Sequence, residues 1–320
     1  MTPEQAAWFQ GVFGRLVDNV GHAVLGKPDV VSLVLTAMLA EGHVLLEDAP
    51  GTGKTQLAKS LAATVQGTST RIQFTPDLLP SDVTGVTIYD QASHKFEFHK
   101  GPIFASIVLA DEINRASPKT QSALLEVMEE GRVTVDGVSH EAGRPFLVIA
   151  TQNPIEQAGT YKLPEAQLDR FLIKTSIGYP DLDFEERILA GSADRNPSAS
   201  LSPVITGSAV ADMADLAATL YVDPAVLRYT AELARATRDA KDTVLGVSVR
   251  GSLAMIRAAK VRAAAHGRHF VLPDDIKALA GPVWTHRLVL DPEAEFSGVT
   301  AAGIIARMLE DVAAPQARVA

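Results

Sequence analysis

The chain has no cysteine among its 320 residues, which excludes disulfide cross-links, thiolate nucleophiles and zinc–thiolate centres. It also lacks an excess of positive charge. Its 29 lysines and arginines face 38 aspartates and glutamates, and the formal net charge of −9 weighs against a general nucleic-acid coat. A basic channel local to an assembly is the one form of such binding left open. Long apolar runs are missing too. The most apolar segment, Val30 to Ala40, falls short of the roughly 20 residues that span a bilayer. The start Met1-Thr2-Pro3-Glu4-Gln5 has no basic region of the signal-peptide kind. No membrane span and a cytoplasmic location are therefore expected. No Ser-His-Asp signature stands out. The one pair of histidines at helical spacing, His266 and His269, has no carboxylate at ligand-like distance and reads as solvated residues at a helix end.

What is present is a core. Hydrophobic residues make up 47% of the chain, enough for one large domain or two ordinary ones. Residues 3 to 21 and 28 to 40 repeat apolar positions at three and four, as helices do. Continuous apolar runs at Val44-Leu45-Leu46, Ile107 to Ala110 and Phe146 to Thr151 read as strands buried on both faces, and further strands are expected at Arg71 to Phe74 and Phe171 to Ile177. Helices follow at Gln56 to Val65 and Lys119 to Glu129, while the two prolines between Thr75 and Asp82 break the pattern. Alternation of strand and helix predicts an α/β fold with a parallel sheet. Two hairpins interrupt it. One lies near 86–100, and the other, near 132–141, is built on Asp136-Gly137. Beyond Pro180 the periodicity is almost wholly helical, with helices near 183–191, 210–219, 224–239, 250–266 and 273–287, interrupted by the polar stretch Arg195 to Ser202. The boundary is placed there, giving an α/β domain over 1–180 and a small all-α domain over 181–320.

The segment that decides the chemistry is Glu47-Asp48-Ala49-Pro50-Gly51-Thr52-Gly53-Lys54-Thr55. It lies between a strand and a helix, where a glycine-rich turn aims backbone N–H groups at phosphates and the helix start adds partial positive charge. Lys54 is placed to reach the terminal phosphates and Thr55 to hold Mg²⁺. The candidate nucleotide-binding set is Asp48, Ala49, Pro50, Gly51, Thr52, Gly53, Lys54, Thr55 and Gln56. Asp48 occupies a position where such loops usually carry glycine. Its side chain is expected to point away from the phosphates and bond to local backbone.

Hydrolysis also needs a carboxylate in the metal's shell and another to orient or deprotonate water. Asp111-Glu112, ending the strand Ile107 to Ala110, supplies both, with Asp111 on the metal side. Asn153 ends the third buried strand, and Pro154 after it halts pairing, which leaves an amide at the sheet edge where ligands of open α/β sheets bind. Arg170, just before a strand, suits a neighbouring subunit's γ-phosphate because a guanidinium is always charged and donates as a planar fork. Arg250 opens a helix of the second domain and is placed to clamp nucleotide from that side.

These motifs resemble the MoxR family of AAA+ ATPases. The likeness runs through Asp48 to Thr55, Leu109 to Ala116, Ala150 to Pro154, Leu163 to Phe171 and Ser248 to Gly251. The resemblance implies a P-loop domain with a helical lid, a hexameric ring and ATP with Mg²⁺ bound between subunits. By matched motif, Lys54, Thr55 and Asp111 (through water) hold phosphate and metal, Glu112 is the catalytic acid, Asn153 and Arg250 are the two sensors, and Arg170 is the arginine finger. Arg115 is expected to face a subunit interface. A chaperone-like role follows from the family, with a partner bearing a von Willebrand factor type A domain and a client protein that the sequence does not name. The hairpin near 86–100 would carry Phe96 and Phe98 toward the client, although alternating phenylalanines also serve packing. Rival functions are a DNA-acting motor, a nucleotide-gated scaffold with little turnover and a small-molecule phosphotransferase.

Overall fold

The computed structural model describes residues 1–153, 159–190 and 197–315. Pro154, Arg195 and Asn196 lie outside the described residues. The chain forms two compact units: Arg15–Leu163 with Thr175–Ala211, and Met1–Gly14 with Pro164–Lys174 and Asp212–Ala320.

The first unit is organised by strands β1 (Val44–Glu47), β2 (Ser69–Gln73), the hairpin β3 (Gly85–Asp90) and β4 (Lys95–Lys100), β5 (Ile107–Asp111), the hairpin β6 (Arg132–Val135) and β7 (Val138–Glu141), and β8 (Leu147–Gln152). A short strand, β9 (Ile173–Thr175), completes a five-stranded parallel sheet in the order β2-β5-β8-β1-β9. The apolar runs go to its middle. All of β5 and the first five residues of β8 are buried, as strands covered on both faces must be. Helices Pro28–Leu39 and Lys54–Thr64 bury Val31, Val34, Leu35, Leu57 and Leu61. The helical unit has its own core, with Trp284, Tyr229, Leu233, Met255 and Ile276 almost wholly enclosed. Among the described residues no helix is long and apolar enough to cross a membrane.

Register sets the site. Gln73 pairs with Asp111, Ala110 with Ala150, and Glu47 with Gln152, so the carboxyl ends of β2, β5, β8 and β1 line up along one edge. Open α/β sheets bind ligands outside that edge.

The structure departs from expectation in four places. The strand expected over Phe171 to Ile177 is only three residues long, since Phe171 and Leu172 are held by side chains of the helical unit, as described below. The proline-broken segment contains a short helix, Pro80–Thr84, where Pro80 sits at the first turn and loses no needed N–H. The helix expected to 287 ends at Trp284 and tightens to a 3₁₀ turn over Thr285–Arg287. The helical unit also holds a small antiparallel pair, β10 (Thr243–Leu245) with β11 (Val289–Leu290), and two further helices, Pro292–Phe296 and Ala301–Asp311.

Candidate functional site

The loop after β1 turns on glycines. Gly51 and Gly53 have φ of 84° and 90°, a region that side chains strain to enter, and Gly53 is the N-cap of the helix Lys54–Thr64. A Cβ at either would meet nothing within 4 Å, so backbone conformation rather than crowding requires glycine there. Gly51 and Pro50 are exposed, Ala49, Lys54, Thr55 and Gln56 half-buried, and Thr52 buried. Lys54 Nζ donates to the carbonyl of Asp48 at 3.3 Å, folded onto the loop's own backbone. Gln56 donates to Ser60.

Asp48 corrects one expectation. Its carboxylate does accept backbone N–H groups, but they are distant ones, from Ile177 at 2.6 Å and Gly178 at 3.0 Å. A carboxylate this buried must be satisfied, and the segment following β9 supplies the donors. The pair of bonds fastens the start of the phosphate loop to that segment.

The two adjacent acids are held in different ways. Asp111 is 9% exposed. Its Oδ1 accepts from the Thr151 hydroxyl at 2.6 Å, and its Oδ2 accepts from Arg71 Nη2 at 2.6 Å and Nε at 3.1 Å. Glu112 leaves the strand in left-handed backbone, φ 56°, and its N–H donates to the same Thr151 oxygen at 2.9 Å. Its Oε2 accepts from Gln73 at 2.7 Å and pairs with Arg115 at 3.2 Å. Arg71 also donates to Gln73 at 2.7 Å, which closes a chain from Asp111 through Arg71 and Gln73 to Glu112. Arg115, expected at a subunit interface, is thus engaged with Glu112 inside its own unit. Asn153 follows β8 directly and is half-buried.

Thr151, Arg71 and Gln73 are site residues that sequence reasoning missed. Arg71 and Gln73 alternate on one face of β2, and that spacing was a readable signal. Their facing Asp111 depends on strand register, which the sequence does not print.

Arg170 and Arg250 belong to the helical unit. Asp169, beside Arg170, accepts from Arg287 Nε at 2.7 Å and from the Ser248 hydroxyl at 2.9 Å. Ser248 caps the helix Val249–Ala265, which carries Arg250 in its first turn. Burial works against the Arg287 charge, Asp169 favours it, and Arg257 and Arg250 add repulsion. Beside it the His286 imidazole is held well below the usual histidine range, first by burial and then by Arg287.

The donor set fits a divalent ion shared with a nucleotide. A hydroxyl (Thr55) and a carboxylate (Asp111) are hard oxygen ligands, and Mg²⁺ ordinarily takes one or two such groups with water and phosphate oxygens filling the rest.

The family model for the ATPase family associated with various cellular activities (AAA) matches residues 43–173, and the AAA lid domain model matches 235–308. Chaperone MoxR1 of Mycobacterium tuberculosis is 41% identical over 94% of this chain and 82% of its own length, and Protein MoxR of Paracoccus denitrificans is 31% identical over 85% and 87%. The chain belongs to the MoxR family of AAA+ ATPases. YeaC of Bacillus subtilis is 48% identical over 96% of both chains. A crystal structure of a Cytophaga hutchinsonii protein assigned as an ATPase superposes with a TM-score of 0.91, at 37% identity and 98% coverage of each chain. ATP hydrolysis is thus the activity of this MoxR-family chain, and nucleotide with a divalent metal is what the AAA fold binds. AAA+ proteins typically act as oligomers.

Proposed function

We propose that this MoxR-family chain hydrolyses ATP at interfaces between subunits of a ring and couples that hydrolysis to remodelling or maturation of a client protein, together with a partner bearing a von Willebrand factor type A domain. The observation that carries the reading is the pair Asp111 and Glu112 at the sheet's carboxyl edge. One acid is enclosed by Thr151 and Arg71, and the other is held out on left-handed backbone by Gln73 and Arg115. Left-handed backbone at a non-glycine residue costs on the order of 1–3 kcal/mol and persists where the surrounding structure over-determines it, as Thr151, Gln73 and Arg115 do around Glu112.

In this mechanism the N–H groups from Gly51 to Thr55 and the Lys54 ammonium receive the phosphates. Thr55 and, through water, Asp111 would hold Mg²⁺, which when bound neutralises charge on the phosphates. Glu112 orients the attacking water and takes its proton, and Gln73 keeps the carboxylate aimed. Asn153 acts as the first sensor and Arg250 as the second. Arg170 donates to the γ-phosphate held by the adjoining subunit. The word chaperone in the name of the Mycobacterium relative supports a protein client.

A phosphate-release assay tests the core of this. Glu112→Gln should bind ATP normally and lose turnover by about 10²–10⁴-fold, the usual worth of a general base. Equal rates in wild type and variant would reject the assignment. Mixing Lys54→Ala with Arg170→Ala subunits should restore part of the activity that neither has alone. The slow Glu112→Gln form is also the reagent for capturing the client.

A further inference from the structure

The helical unit contains a buried ionic cluster for which the proposed chemistry has no stated use. Arg287 is 2% exposed at its side chain. Its guanidinium donates to the Asp169 carboxylate at 2.7 Å and to the backbone carbonyls of Asp169 at 3.1 Å, Phe171 at 2.7 Å and Leu172 at 3.3 Å, besides that of Val283 in the preceding helix. Four of these bonds bracket Arg170, on both sides, within four consecutive residues. The same Asp169 carboxylate accepts from Ser248, whose hydroxyl also accepts from the N–H of Gly251 and caps the helix bearing Arg250. That helix comes so close that a Cβ on Gly251 would stand 2.8 Å from Arg287 Cδ, so only glycine leaves the guanidinium its seat.

Burying a guanidinium with one counter-ion is weak support for stability, since apolar residues of similar volume do as well. What the arrangement delivers is geometry. A planar fork with five donors can fix a short non-helical segment through its carbonyls, which an ammonium acting from one point cannot do.

From this we infer that Arg287, with Asp169, is a positioning residue for the arginine finger. It fastens the segment Asp169 to Leu172 to the helical unit, so that Arg170 is presented to the adjoining subunit by the same body that carries Arg250. The inference rests on the interface-hydrolysis reading and adds to it the element that moves the finger. A finger so mounted would be withdrawn or advanced whenever its own helical unit shifts, and one subunit's nucleotide state would reach its neighbour's chemistry through Arg287.

The test is complementation between subunits. Arg287→Lys keeps the charge and the Asp169 contact but loses the fork. It should lower ATP turnover on the order of tenfold to a hundredfold, the cost of misplacing a catalytic group by about 1 Å, while binding of a non-hydrolysable ATP analogue is unchanged. Mixed with Glu112→Gln subunits, which have intact fingers but no working carboxylate, the Arg287→Lys subunits should regain activity, because their own phosphate loops then face good fingers. A purely structural defect stays with the subunit that carries it and would not be rescued. Arg170→Ala mixed with Glu112→Gln is the control. If the control fails to recover, hydrolysis at interfaces is wrong and the inference falls with it. Should the control recover while Arg287→Lys does not, or should Arg287→Lys keep full turnover, the reading survives and the inference is overturned. If Arg287→Lys does not fold, Gly251→Ala, which crowds the same guanidinium, enters the same mixing scheme and is judged by the same outcomes.

Discussion

At the scale of single residues, the two adjacent acids depend on Thr151, whose hydroxyl hydrogen serves Asp111 and whose oxygen receives the Glu112 N–H. Valine has the same shape without the hydroxyl. Thr151→Val should therefore leave a buried carboxylate oxygen and a strained N–H without partners, costing about 1–3 kcal/mol of stability and lowering turnover more than ATP affinity. Denaturant melts and steady-state kinetics on the one variant check both. His286 makes a second prediction, about pH. Its Nε2 lies 3.0 Å from the Phe171 carbonyl oxygen and 2.8 Å from Arg287 Nη1, and its Nδ1 is buried with no hydrogen-bond partner. The folded protein holds the ring neutral, and the unfolded chain lets it bind a proton below the ordinary value of about 6.5. Stability attributable to His286 is thus complete above that pH and is lost as pH falls, by up to about 1.4 kcal/mol per pH unit. A glutamine amide can donate or accept from the same place, so His286→Gln should remove that slope. An unchanged profile between pH 5 and 7 would refute the assignment.

At the scale of elements, the two hairpins are joined by aromatic contact. The Phe98 ring stacks on His140 with centroids 4.0 Å apart and meets Phe104 edge-on at 5.7 Å, and Lys100 stands over Phe104. Phe96 is different: it is 75% exposed, and its ring meets that of Tyr89 with centroids 5.2 Å apart. The two phenylalanines that the sequence offered together for client contact thus divide, Phe98 to packing and Phe96 to the surface. Phe98→Ala should destabilise the unit by roughly 1–3 kcal/mol, whereas Phe96→Ala should stay within about 0.5 kcal/mol, as exposed substitutions do. Urea melts separate the two, and a client-stimulated rate sensitive to Phe96→Ala alone would assign that ring to the client. Legibility follows the same line between local and distant causes. The Asp136-Gly137 turn could be read because its two positive φ angles, 50° and 79°, are what those residue types permit. The buried strands announced themselves as unbroken apolar runs, and the phosphate loop as glycine spacing before a lysine. Asp48's donors, in contrast, lie 129 and 130 residues away, and Arg71 meets Asp111 only through strand register. The pair β10 and β11 is three and two residues long, too short for any alternation to register. Where a contact is made by tertiary placement, residue type alone carries no trace of it.

At the scale of the whole molecule, chain order and spatial order differ. Pro164–Lys174, which carries Arg170, clusters with Asp212–Ala320 rather than with the sheet residues that precede it. The phosphate loop and the acids, meanwhile, all lie within Arg15–Leu163. In the proposed mechanism the loop that receives nucleotide is largely preset: Gly51 and Gly53 stand in left-handed backbone, and Asp48 is bonded to Ile177 and Gly178. A ligand that binds the folded protein alone stabilises it by RT ln(1 + [L]/Kd), about 2.7 kcal/mol at a hundredfold excess over Kd. ATP with Mg²⁺ should raise the melting midpoint by a matching amount in wild type and in Glu112→Gln, because the acid acts on water and not on binding. Lys54→Ala should abolish the rise, since its ammonium is the side-chain cation that the phosphate loop itself brings to the phosphates. Differential scanning calorimetry of the three proteins at equal ATP decides it. A shift that survives Lys54→Ala would place nucleotide binding somewhere other than this loop, and a shift lost in Glu112→Gln would make that carboxylate a binding group rather than the base.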